Sequence, residues 1–372
     1  MVSQRVLLLL DDCGAGDAIR VGSSIRQVRE SLPGSELTLV VGGEAAPVYR
    51  DSPLVDRLIV SRLYLRPRAS RLQKLVELCR LAGSLGFGYD LVVIFWWGST
   101  LLRVLARIVS SGRRVGYSGR FQWLLSSRLG GYDFSGDETA QQERLLVAAG
   151  IGGAAAGGPE LAVTEADAKV AAATLQELAG AEGGPLVLLH PGSDWACQQW
   201  LPERWSALAD GIAAAGPFRL AFTGSSGDGP LIDGIQAGMS APSVSLAGRL
   251  SLAELAALLR RTALLVTVDS AVFLLARAEG TPVLVLAGPS HPERVGGAGA
   301  APMVLKRISA DQESWILACK KPRYPAGGCQ DWSCPWSGLR GIEVADALLT
   351  ARLRLRRQVR AGLGTGAQVA SL

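Results

Sequence analysis

The residues of this chain best placed to do chemistry are carboxylates and hydroxyls that directly follow apolar runs. Within residues 263–293 the run Leu264 to Val268 stops at Asp269-Ser270, and an amphipathic segment, Val272 to Glu279, follows. After Gly280-Thr281-Pro282 a second run, Val283 to Ala287, ends at Gly288-Pro289-Ser290. A helix whose N-terminal N–H groups lie just past Ser270 would offer them to an anion, while Asp and Ser at that place equally suit a plain helix cap. The same pattern opens the chain: Arg5 to Leu10 feeds DDCGAGDAIR, which sets Asp17 beyond a strand end with Gly14 and Gly16 beside it. Small residues there let a ligand or another backbone come close. A dinucleotide fingerprint would need glycine where Ile19 stands, and a Walker loop would need Gly-Lys where Gly16-Asp17 stands, so Asp17 is either a reacting carboxylate or a cap. A third such turn, Pro191-Gly192-Ser193, begins HPGSDWACQQWLPE, and Trp96-Trp97 follow a strand end, where aromatic rings stack on a sugar or an apolar acceptor or pack between loops.

These residues need a scaffold that gathers strand ends. Near-continuous apolar strands alternating with amphipathic segments predict parallel sheets covered on both faces and built from right-handed βαβ crossovers, with ligands at the carboxyl ends. In the first half we expect strands at Arg5–Leu10, Glu36–Val41, Leu91–Phe95 and Arg114–Gly116, with helices at Ala18–Leu32, Ala69–Leu85, Leu101–Ser110 and Glu138–Ala149. The Gly/Ala-rich segment Gly150 to Gly158 is the clearest composition shift and reads as a linker. Beyond it come strands Leu186–His190, Leu220–Thr223, Leu264–Val268 and Val283–Ala287, helices Glu203–Ala215 and Leu252–Arg260, a long amphipathic helix Ile342–Arg360, and a tail. The expected domains are 1–157, 158–341, and a C-terminal helix and tail, 342–372, packing back on the first domain.

A chain of 372 residues suits two domains, and an apolar content of 48% argues against disorder. The run Val6 to Leu10 is too short for a membrane span or a signal-peptide core, so a cytoplasmic protein without stable membrane insertion is expected. The first domain shows no obvious basic amphipathic docking helix. A net charge of +5, with arginines crowded into 352–360, fits a solvated helix face better than a nucleic-acid site. Six cysteines without a CxxC pair, and only His190 and His291 as imidazoles, leave no metal-site pattern; the spacing of Cys319, Cys329 and Cys334 matches no common zinc ribbon or finger.

The order of these pieces resembles the heptosyltransferases of glycosyltransferase family nine. The likeness runs through Gly16-Asp17, Leu188-His190-Pro191-Gly192-Ser193 with Trp200 to Trp205, Gly224 and Asp228, Leu246-Ala247-Gly248 with Leu250 to Leu255, Asp269-Ser270-Ala271, and Gly288-Pro289-Ser290. It implies an α/β protein of the GT-B fold, two Rossmann-like domains with parallel sheets facing a central cleft. Asp17 then corresponds to the family's base. Gly16 is a donor-binding candidate, Ser193, Gln198, Asp269, Ser270 and Ala271 fall on the phosphate side of the donor site, and Asp228 falls at the ribose and Leu250 at the base. Arg20, Trp96, Trp97 and Arg120 are the acceptor candidates. No metal and no organic cofactor are expected. Two departures stand out: the family usually has a lysine where this chain has Gln198, and a histidine where it has Leu274, with Ala271 replacing glycine. Loss of a cation beside a diphosphate costs about 1.5–3 kcal/mol unless another replaces it. Arg249 and Arg294 are candidates, or else ordinary surface arginines.

The implied activity is transfer of a sugar, heptose or a related hexose, with inversion from a nucleotide diphosphate donor, ADP-linked by resemblance. The acceptor hydroxyl belongs to a small-molecule scaffold, such as a secondary metabolite, or to a lipopolysaccharide-type glycan. A non-catalytic GT-B protein that binds a nucleotide sugar is the rival from another class, and a sugar-nucleotide epimerase a third.

Overall fold

The structure is a computed structural model that describes residues 4–10, 14–62, 70–95, 100–132, 138–152, 159–178, 184–288, 291–292, 295, 301–308 and 339–360. The chain divides into two compact units, Met1–Ala162 and Val163–Leu372. The expected boundary at 157/158 and most of the expected linker lie outside the described residues.

The first unit is built on six parallel strands: β1 (Arg5–Leu10), β2 (Glu36–Gly42), β3 (Arg57–Ser61), β4 (Tyr89–Ile94), β5 (Ser110–Tyr117) and β6 (Ser127–Leu129), ordered β3-β2-β1-β4-β5-β6. Its helices are α1 (Ala15–Arg20), α2 (Gly22–Ser31), α3 (Ala46–Tyr49), α4 (Arg71–Leu85), α5 (Thr100–Val109) and α6 (Glu138–Ala148). Val6 to Leu10 are buried without a break because β1 is central and covered on both faces. Leu7 and Leu9 share one core cluster with Leu78, Leu81, Ala82 and Leu85 of α4 and Leu102, Leu105, Ala106 and Val109 of α5. The expected helix Ala18–Leu32 is two helices parted at Val21, and α1 starts early enough to hold Asp17 in its first turn.

The second unit repeats the plan with β7 (Leu186–His190), β8 (Arg219–Phe222), β9 (Val244–Ser245), β10 (Leu264–Val268), β11 (Val283–Ala287) and β12 (Met303–Lys306), ordered β12-β11-β10-β7-β8-β9 and parallel throughout. Helices α7 (Glu165–Glu177), α8 (Pro202–Ala213), α9 (Gly229–Ala237), α10 (Leu252–Leu259) and α11 (Ala271–Ala278) join them, and α12 (Val344–Arg360) follows. The core here includes Trp200 and Trp205, whose rings meet edge to face at 5.4 Å, and Trp200 Nε1 donates to the Ile342 carbonyl at 3.0 Å. Ala347, Ala351 and Leu355 of α12 are buried in that same core, against α8. The C-terminal helix is therefore built into the core of the second unit, and the expected tail, 361–372, lies outside the described residues. Ala347, Ala351 and Leu355, at i, i+4 and i+8, form the apolar stripe that lies on α8.

In each sheet the strand order reverses once, between β1 and β4 and between β7 and β10. Successive crossovers leave those points in opposite directions, which opens a crevice beyond the carboxyl ends of the paired strands. No described helix is long and apolar enough to cross a membrane.

Candidate active site

In the first unit, Asp17 comes off β1 at the switch point. Gly14 is the residue preceding α1, in extended conformation, and has no side chain with which to cap that helix. Asp17 is thus a first-turn carboxylate, near the positive end of the helix, and not the cap that was its plainer alternative. Nη1 of Arg20 lies 4.0 Å from Asp17 Oδ1, so two predicted site residues are neighbours. Gly16 precedes Asp17 in the same turn. Arg120 is exposed in the loop after β5, 5.2 Å from the Phe121 ring centroid. Sequence reasoning missed what holds that loop: buried Arg103 on α5 donates through Nη1 to the Arg120 carbonyl at 3.2 Å and through Nη2 to that of Tyr117 at 3.1 Å. Burial holds the Arg103 guanidinium below its ordinary pKa. Trp96 and Trp97 lie outside the described residues.

In the second unit, four predicted residues or pairs gather at the carboxyl ends of β7, β8 and β10. Ser193 follows β7 in a loop that closes on itself. Its Oγ donates to Gln198 Oε1 at 3.1 Å and accepts from Trp195 N at 3.2 Å, while Gln199 Nε2 donates to the Ser193 carbonyl. Asp228 follows β8, and its Oδ2 accepts from the N–H and the hydroxyl of Ser225 at 2.7 and 2.8 Å. The carboxyl is wedged between two glycines at adjacent strand ends. A Cβ on Gly192 would lie 2.6 Å from Asp228 Oδ1 and one on Gly224 would lie 2.7 Å from Asp228 Cβ, so both positions must be bare for Asp228 to sit there.

Beyond β10, Ser270 precedes α11 in extended conformation, yet its side chain makes no cap hydrogen bond. Ser270 Oγ instead lies 3.3 Å from the hydroxyl of buried Thr267, which donates to the Val268 carbonyl. Helices α4, α7 and α10, by contrast, each carry a full reciprocal capping box. The first-turn amides of α11, Ala271 among them, are therefore left uncapped by Ser270 at the switch point. Asp269 and Leu250 are each partly exposed at a strand end and at the start of α10, respectively.

His190, the last residue of β7, pairs in register with Thr267. Its Nδ1 donates to the Thr223 carbonyl at 2.8 Å, which fixes the tautomer. Burial pushes its pKa below the ordinary imidazole value, against the opposing pull of the Asp228 carboxylate, so the ring is neutral at pH 7. The sequence reading placed His190 at a strand end and in the family-like run but gave it no role.

The two departures have local explanations. Leu274 is a buried core residue of α11, so the polar role of the family's histidine has no counterpart at that position. Arg249, one candidate substitute for the missing lysine, is engaged by Glu177 at 2.6 Å. Arg294, the cysteines 319, 329 and 334, and Pro289-Ser290 lie outside the described residues. Among the described residues no group of three His, Cys, Asp or Glu side chains could hold a metal.

A family model described as glycosyltransferase family 9 (heptosyltransferase) matches residues 79–319. The chain belongs to glycosyltransferase family 9. No curated relative matches it. Among solved structures, it is similar to a family 9 glycosyl transferase of Veillonella parvula DSM 2008, with 20% identity, TM-score 0.74 and coverage of 95% of this chain and 97% of that one. The E. coli ADP-heptose LPS heptosyltransferase II is similar at 18% identity and TM-score 0.67, over 96% of this chain and all of that one (100%). The E. coli heptosyltransferase WaaC, solved with ADP, shares 16% identity at TM-score 0.64, covering 94% and 100%. At such identities the likeness is one of fold, and the fold is GT-B: two Rossmann-like units, each with a six-stranded parallel sheet.

Proposed function

We propose that this family 9 protein is an inverting glycosyltransferase that moves a heptose or related hexose from a nucleotide diphosphate donor, ADP-linked, to an acceptor hydroxyl. The acceptor is carried on a small-molecule scaffold or a lipopolysaccharide-type glycan. In the reaction the acceptor oxygen attacks the anomeric carbon, its proton passes to Asp17, and the bond from that carbon to the diphosphate oxygen breaks. The nucleoside diphosphate leaves with the electron pair. No metal or organic cofactor enters the scheme. Charge building on the leaving diphosphate is met by the first-turn amides of α11, and Ser193, Gln198 and Asp269-Ser270 line the same strand ends. Asp228, Leu250 and the acceptor candidates Arg20 and Arg120 keep the roles that the resemblance gives them.

One observation carries the proposal: Asp17 and Ser270 both stand at switch points, at the starts of helices whose N-cap residues, Gly14 and Ser270, make no side-chain cap bond. Ser270 differs in this from Ser70, Thr164 and Ser251, whose hydroxyls each close a capping box. The rival, a nucleotide-sugar-binding protein without turnover, draws on Gln198 and Leu274, since the first removes a cation and the second a polar side chain. Calorimetric titration with ADP, UDP, GDP and dTDP, then donor screening on the nucleotide that binds, separates the readings. ADP preference with sugar transfer is expected; ADP binding without turnover of any donor supports the rival, and binding of none of the four removes both.

A further inference from the structure

One face of the first sheet is unusual in what it turns outward. Helices α4 and α5 and the turn Gln122–Leu124 cover that face, with Leu78, Leu81, Ala82 and Leu85, Leu102, Leu105 and Leu125 directed into the shared core. That inner stripe accounts for only half of the apolar residues of α4. Leu72, Leu75 and Val76 are 69%, 55% and 60% exposed, and with exposed Cys79 they form a second stripe at i, i+3, i+4 and i+7. In the same layer Ile108 is 44% and Trp123 72% exposed, the latter edge to face with Phe121. Solvation alone gives no reason to keep so many large apolar side chains on one face.

The charge of this stretch is predominantly positive. Residues 70–132 hold nine lysines and arginines but only two carboxylates, against a net charge of +5 for the whole chain. Both carboxylates are occupied: Glu77 bonds Arg80 at 2.6 Å, and Asp90 accepts the Arg5 amide at 2.8 Å. Arg71, Arg80, Arg107 and Arg120 are exposed around the apolar residues.

We infer that this layer is a peripheral docking surface for an anionic lipid bilayer. Aliphatic side chains at helical spacing, a tryptophan and a rim of cations suit the boundary between headgroups and acyl chains, where the apolar groups sink and the cations meet lipid phosphates. A second copy of the chain is disfavoured, because docking like on like would bring the cationic rims together. Nucleic acid offers the aliphatic stripe nothing to contact. The basic amphipathic docking helix absent from the sequence reading is α4. It escaped notice because its two apolar stripes merge in the sequence, and only burial separates them.

The test needs neither donor nor acceptor, so its failure is distinct from failure of the proposed activity. Full-length protein is sedimented with phosphatidylcholine vesicles, with and without phosphatidylglycerol, at low and high salt. Binding that requires phosphatidylglycerol and weakens with salt is expected. Leu72→Glu/Val76→Glu and, independently, Trp123→Gln should each lower the vesicle partition coefficient, the double variant about tenfold or more. Leu349→Glu/Leu353→Glu, on the exposed face of α12, should leave it unchanged. Unaltered thermal unfolding shows that these surface variants fold. The inference is overturned if anionic vesicles fail to bind the parent protein, if binding is lost with the α12 pair and kept with the α4 pair, or if the α4 pair instead abolishes a dimer seen by analytical ultracentrifugation.

Discussion

Restoring a cation at position 198 should tighten nucleotide diphosphate binding. Gln198 is partly exposed in the loop after β7, and its amide oxygen accepts from Ser193 at 3.1 Å. Gln198→Lys breaks that bond, at a cost of about 1 kcal/mol, and orders a long side chain, at a cost of up to about 2 kcal/mol. An ammonium within about 4 Å of one diphosphate charge gains about 4 kcal/mol at the effective dielectric of a surface site, and the leaving group carries more than one such charge. A net gain of about 1.5–3 kcal/mol follows, or about ten- to a hundredfold in Kd for ADP. Isothermal titration measures it directly. The gain should shrink as salt is raised. Gln198→Met, which loses the hydrogen bond without adding charge, should change Kd by no more than a few-fold. If Gln198→Lys unfolds at the parent's temperature yet binds ADP no better, the loop does not face the diphosphate and the donor site has been placed wrongly.

Other consequences follow from capping and burial. Ser251→Ala removes a capping box from α10 and should cost about 1 kcal/mol in urea unfolding. Ser270→Ala removes no cap bond and should cost less than that, while weakening ADP binding in titration. Because burial holds His190 below its ordinary pKa, the unfolded chain binds the extra proton first, so this residue's contribution to stability is present above about pH 6.5 and is lost as pH falls toward the lowered value. The stability gap between parent and His190→Asn, followed by denaturant unfolding from pH 8 to 5, should therefore narrow with acid; a gap that widens refutes the burial argument.

How much of this was legible in the sequence depended on where each strand lay. The runs 186–190, 264–268 and 283–287 match β7, β10 and β11 because those strands are buried on both faces. The four strands that went unnoticed, β3, β6, β9 and β12, are the four sheet edges. There one-sided cover breaks the apolar run, as the partly exposed residues of β3 and β12 show. Asp17, Ser193 and Asp269-Ser270 could be picked out because a parallel sheet sends its loops to one rim whatever their detail. What those side chains touch was not legible. The Ser193–Gln198 bond, the engagement of Arg249 by Glu177 and the hold of Arg103 on the Arg120 loop join residues whose pairing no periodicity encodes. The packing of the C-terminal helix on α8 was not legible either, because its apolar stripe, Ala347, Ala351 and Leu355, marks a buried face without specifying a partner.

The central claim is that Asp17 takes the acceptor's proton. Asp17→Asn keeps the shape of the side chain and removes the base, so single-turnover transfer from the nucleotide-sugar donor should fall about a hundred- to ten-thousandfold, with ADP affinity within about twofold of the parent. Transfer by Asp17→Asn at the parent's rate, with ADP still bound, would contradict it.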